Sequence, residues 1–229
     1  MAGSPRSGDS RNLGRVTAMA SERTTYHHGN LRNALIDEAW ELARSSAPEK
    51  VTIREVARRA GVSHNAAYRH FADRQELMTS IADRALATLA DLMRQRIATV
   101  PDDQAPEVVA RSRFRETARA YALFAIDEPH LFQVAFHAEF SRPGVNPDVS
   151  ARRDGPYAIL HSVLDEMVAV GEIPTERRPD SEIVCWAAVH GFAELCIKGP
   201  LGLLPDAERE NYFDRLIGTI LHGLKAPLA

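Results

Sequence analysis

Apolar residues recur along this chain at three- and four-residue spacing, and they do not alternate with period two over any useful length. The pattern predicts an all-α protein of about nine helices with no sheet. Leu31, Ala34, Leu35 and Leu42 make the stripe of a first helix, widened by Ile36, Ala39, Trp40 and Ala43, with Asn30 as its cap. Ile53, Val56, Ala57 and Ala60 mark a second helix, which Thr52 can cap. Gly61 follows, where a left-handed residue ends a helix without a Cβ clash. Val62 is placed to plug the angle before a third helix, 64–71, capped by Ser63. Asp73 and Glu76 have capping-box spacing and open a long helix to about 99, with Leu77, Ile81, Leu86, Leu89, Met93 and Ile97 on its apolar side.

Five more helical segments follow the linker 100–106. They cover 107–127 (Val108, Phe114, Ala118, Tyr121 and Ala125 inward), the aromatic stretch 130–140, and then 157–170, 181–198 and 207–224. Gly171 and Pro174 close the third of these. Residues 141–147 read as a loop, and residues 1–23, rich in Gly, Ser, Arg and Pro, as a disordered arm.

Helix, glycine, apolar residue and cap in that order over 52–71 describe a helix-turn-helix. In that motif the second helix enters the major groove, with its N-terminal residues at base edges. Charge supports the reading. Residues 50–74 hold six basic side chains and two acidic ones. The chain as a whole is near neutral, at −3, but residues 1–75 carry 12 basic and 8 acidic residues, leaving 16 basic against 23 acidic beyond them. A basic N-terminal module on an acidic body suits a protein that meets a polyanion at one end.

The remaining chemistry is sparse. Cys185 and Cys196 lie eleven residues apart in one predicted helix, about 16 Å along its axis, too far for a disulfide. They read as buried thiols of a protein in a reducing cytoplasm. No apolar run approaches the roughly 20 residues that span a bilayer, and no secretory signal is apparent. His27 and His28 are adjacent, but no ligand partner stands at metal spacing. No metal or cofactor is expected. An enzyme would have to use His130, His137, Glu139 and His161, without any nucleophile motif, Gly-rich phosphate loop or H-E-x-x-H.

Residues 26–78 resemble the DNA-binding domain of the TetR family of bacterial transcription regulators. The likeness rests on T-I-R-E-V-A-R-R-A-G-V-S, then Y-R-H-F, then D-R-Q-E-L, with Tyr26-His27-His28-Gly29 and Leu31-Arg32 before them. Ala67 departs from it, standing where the family usually has Leu or Ile. W-A-A-V-H-G at 186–191 is similar to one class of the family's C-terminal domains. The resemblance implies a DNA-binding domain over 24–78 and an effector-binding and dimerisation domain over 79–229.

It also implies roles. Thr52 and Arg54 would contact phosphate, and Ser63, His64, Asn65 and Ala66 would face the bases. Tyr68, His70 and Arg74 would hold flanking phosphates. The chemistry agrees, since Asn reads adenine bidentately and Ala meets a thymine methyl. Such proteins usually dimerise through their last two helices, here with Trp186, His190, Gly191, Leu216 and Ile220 at the interface. Gly191 would permit close approach, at a cost of about 1 kcal/mol relative to Ala in mid-helix. An effector pocket would be lined by Phe114, Tyr121, Phe124, Phe132, Phe136, His137, Tyr157 and His161. The expectation is a cytoplasmic homodimeric repressor on an inverted-repeat DNA operator, released by a small molecule. An activator or an effector-independent regulator is the alternative.

Overall fold

The computed structural model describes residues 28–140 and 155–226, with side chains for 31–136 and 155–226. The expected arm, His27, the loop 141–147 and the side chains of His28, Asn30, His137 and Glu139 lie outside these. Nine α-helices and no strand occur among the described residues: α1 (His28–Ser45), α2 (Ile53–Arg59), α3 (His64–Tyr68), α4 (Arg74–Ala98), α5 (Pro106–Asp127), α6 (Pro129–Phe140), α7 (Gly155–Ala169), α8 (Ser181–Ile197) and α9 (Asp206–Lys225).

Three of the predicted caps form, whereas α1 starts at His28, two residues before Asn30, the cap expected for it. The Thr52 hydroxyl accepts from Glu55 N at 3.2 Å, Ser63 from Ala66 N at 3.2 Å, and Asp73 from Glu76 N at 2.8 Å. Glu76 answers by accepting from Ala72 N at 2.9 Å, one residue earlier than a capping box requires. Gly61 (φ 68°) and Gly171 (φ 79°) adopt the left-handed conformation expected where their helices end. Helix α3 is shorter than expected. Past Tyr68 the N–H groups of Arg69 and His70 bond three residues back, to Ala66 and Ala67, so the last turn tightens before Phe71.

Leu35, Ala39, Val51, Ile53, Val56, Ala67, Phe71 and Leu77 bury together and fix α1, α2 and α3 against the start of α4. Ala67, the departure from the family pattern, is fully buried. Trp40 stays half-buried, with the Arg84 guanidinium 4.6 Å from its ring centroid. The expected boundary at 78/79 falls inside α4. The first half of that helix completes the small N-terminal core, and its second half (Leu89, Met93) packs with α5, α6 and α7.

Ion pairs tie the outer helices down. Glu172, nearly buried, meets Arg111 and Lys225, each at 2.5 Å. Burial works against its charge, but Lys225 and Arg111 outweigh it and hold the carboxyl below its ordinary range. Arg119 pairs with Glu210, and Arg115 with Asp214, joining α5 to α9. Cys185 and Cys196 are buried and free, as read from their spacing. Burial pushes the Cys185 thiol up to about 12.

Candidate DNA interface and aromatic site

The helix-turn-helix displays most of the residues singled out from the sequence. Thr52, Arg54, Ser63, His64 and Asn65 face solvent, Ala66 and His70 are half-buried, and Tyr68 is 47% exposed. The His64 and Tyr68 rings meet edge-on at 4.5 Å, one turn apart. The Thr52 and Ser63 oxygens serve as caps, which leaves each hydroxyl proton free to donate to a phosphate or a base.

The cations divide sharply. Arg58 and Arg59 both pair with Glu55, at 2.7 and 3.3 Å. The Glu55 carboxyl is held at about 2, chiefly by its hydrogen bond to Arg58. Arg32 bonds Ser80 and stacks over Phe71. Arg74, expected on phosphate, donates from Nε to the Val51 carbonyl (2.8 Å) and from Nη2 to the Pro48 carbonyl (2.6 Å). It clamps the lead-in to α2 onto the start of α4. Lys50, Arg54 and Arg69 have no side-chain partner among the described residues. The sequence reading did not single out Arg69.

In the body, the expected pocket residues separate. Tyr121, Phe132 and Phe136 form a ring cluster, with centroids 4.7–5.6 Å apart. Phe114 and Phe124 are plain core on α5. Tyr157 joins the cluster's edge against Trp186 at 6.5 Å. His161 does not join it. It is exposed, with Nδ1 2.6 Å from Glu182 and Nε2 3.3 Å from Asp165, in a polar network with Arg178.

Trp186 and His190, expected at a dimer interface, point into this cluster instead. Trp186 Nε1 donates to the Tyr121 hydroxyl at 2.9 Å, and His190 Nδ1 lies 2.8 Å from the same oxygen. The His190 ring stacks on Phe132 at 5.3 Å. Burial depresses the imidazole's basicity. Residues 186 and 190 are one helical turn apart, so the W-A-A-V-H-G spacing already placed them on one face, though not on which side.

Ile220 is also buried within the chain, and Leu216 is half-buried. Of the five residues expected at an interface, Gly191 is the exposed one, and a Cβ added there would meet nothing within 4 Å. The exposed apolar side chains nearby are Ile183, Val184 and Leu195 on α8 and Tyr212 on α9.

His130 Nδ1 lies 3.3 Å from the Arg44 carbonyl and is taken up in a helix junction. No group of His, Cys, Asp or Glu among the described residues could hold a metal ion. None of their helices is long and apolar enough to cross a membrane. An open groove between α4, α5 and α7, with Ile97 and Ile159 among its lining residues, is separate from the ring cluster.

Comparison with known proteins agrees with the all-α fold and the family resemblance. Residues 35–81 match the family described as "Bacterial regulatory proteins, tetR family", and residues 114–220 match "Tetracyclin repressor-like, C-terminal domain". A relative from Haemophilus influenzae, an uncharacterized HTH-type transcriptional regulator, is 38% identical over 81 residues. That match spans 35% of this chain and 36% of the relative's length. Among solved structures, a protein of unknown function from Rhodococcus sp. RHA1 superposes with a TM-score of 0.71 at 27% identity, covering 89% of this chain and 100% of that one. A TetR family transcription regulator from Marinobacter aquaeolei VT8 shares the fold, with a TM-score of 0.59 at 16% identity over 83% and 95% of the two chains.

Proposed function

The chain belongs to the TetR family of DNA-binding transcriptional regulators, and from that premise we propose that it is a homodimeric repressor released from an inverted-repeat operator by a small apolar effector. One observation carries the ligand-responsive half of this reading: α6 belongs to both functional regions. Its Phe132 and Phe136 sit in the ring cluster. At its start, Glu128 pairs with Arg44 at the end of α1 (2.5 Å), and His130 meets the Arg44 carbonyl. A ligand that parts the rings would displace α6, and α6 is tied to the helix that backs the recognition unit. Only a ligand with different affinity for the two arrangements would shift their populations.

The dimer reading is supported by two stripes. Val184, Gly191 and Leu195 share one face of α8 by their spacing, and Tyr212, Leu216 and Gly223 share one face of α9. These replace Trp186, His190 and Ile220 as the proposed interface. Paired across a two-fold axis, they would set two recognition helices one helical turn of DNA apart, about 34–36 Å.

The test is selection of bound sequences from a random duplex pool at near-physiological salt, followed by a thermal-shift screen of apolar small molecules on the full chain. An enriched inverted repeat, and a stabilising compound that frees the operator, is the expected pair of results. Enrichment of a lone half-site would overturn the dimer, and stabilising compounds that leave the complex intact would overturn release.

A further inference from the structure

The direction in which the recognition helix faces can be fixed from one residue. Ala67 is fully buried and defines the inward line of α3. At about 100° per residue, His64 lies about 60° from that line and Tyr68 about 100°, whereas Asn65 and Arg69 each lie about 160° from it, on either side of the crest. Arg69 caps the helix with αR backbone angles (φ −74°, ψ −18°), so the helical direction holds through its Cα. The outermost ridge of the recognition unit is therefore Asn65 and Arg69, one turn apart, while the His64–Tyr68 ring pair forms its flank.

The charges single out the same side chain. Arg58 and Arg59 are engaged by Glu55, Arg74 by two backbone carbonyls, Arg32 by Ser80 and Arg84 by Asp37. Lys50 and Arg54 are uncommitted but stand before and at the start of α2. Arg69, the C-cap residue of α3, is the cation at the end of the recognition helix, exposed and without a partner among the described residues.

We infer that Arg69 is a base-reading residue, its guanidinium taking guanine O6 and N7 in the major groove beside the base pair read by Asn65. This rests on the DNA-binding reading above. Arg to guanine is the bidentate pairing that the major groove favours. The rise from Asn65 to Arg69 is about 6 Å, close to two base-pair steps of about 3.4 Å each. Each half-site should then carry a G·C pair about two steps from the position that Asn65 selects.

The experiment compares full-length wild type and Arg69→Ala in the same duplex selection. It then measures wild-type affinity for an operator bearing 7-deazaguanine at the candidate position, a change that removes N7 without touching the protein. The expected result is that Arg69→Ala loses its preference at that G·C column alone, by roughly 5- to 150-fold, and retains the rest of the motif. The 7-deazaguanine operator should weaken wild type but not the variant. A uniform loss across all sequences, with a shallower salt dependence, would place Arg69 on phosphate and overturn the inference. An unchanged motif, or equal sensitivity of both proteins to 7-deazaguanine, would overturn it as well. Failure of wild type to enrich any motif would remove the DNA-reading premise, a result distinct from wild type enriching a motif that ignores residue 69.

Discussion

The Tyr121 hydroxyl on α5 and Nδ1 of His190 on α8 lie 2.8 Å apart, inside a ring cluster that otherwise holds few polar atoms. The hydroxyl accepts from Trp186 Nε1, and it donates to His190 in the imidazole tautomer protonated on Nε2. Burial holds the phenol well above its ordinary range, so its proton stays in place. Tyr121→Phe removes both bonds at once and leaves the ring volume intact. Urea denaturation should show a loss of about 1–3 kcal/mol. A loss near zero would mean that the three side chains are not linked in solution.

The same histidine sets a pH dependence. Burial, against a smaller opposing pull from Glu194, lowers the folded-state pKa of His190 below its ordinary value of 6.5. As pH falls through about 6.5, the unfolded chain takes up a proton that the folded chain refuses, so stability drops until the lower folded value is passed. The contribution is at its full value above the unfolded pKa. Melting temperatures between pH 8 and pH 5 should fall for wild type and fall less steeply for His190→Gln. Parallel slopes would sink this account.

Arg74 acts as a clamp. Its two bonds, to the Val51 and Pro48 carbonyls, hold the entrance of α2 against α4. A lysine keeps the charge but cannot bridge both acceptors. Arg74→Lys should cost about 1 kcal/mol of stability in denaturant unfolding and weaken DNA binding with it. Full stability with lost binding would return Arg74 to a phosphate.

Val184 is 59% exposed in the single chain, so Val184→Glu should fold normally. If α8 and α9 pair across a two-fold axis, the substitution places two unpaired carboxylates in an apolar seam. Sedimentation equilibrium should show self-association weakened by about tenfold or more. A variant that remains dimeric would move the interface elsewhere.

What the sequence disclosed follows from the range of each interaction. The caps at Thr52, Ser63 and Asp73 and the turn at Gly61 depend on neighbours within four residues, and each formed as read. The facing of α8 was not legible. It is apolar nearly all round, so its pattern has no preferred side, and Trp186 and His190 turned inward to meet Tyr121, some 65 and 69 residues away in sequence. Arg74 shows the same limit: its bond to a carbonyl 26 residues earlier in the chain is not readable from its place at a helix start. His161 looked like a pocket donor because its partners Glu182 and Arg178 lie on another helix and its approach.

The recognition helix is anchored by Ala67 and Phe71, both buried and neither on the outward crest. Anchoring and outward display are thus encoded at different positions. A library varied only at 64, 65, 68 and 69 would explore new operator addresses on an unchanged scaffold, and orthogonal regulators could be drawn from this chain without re-engineering its stability.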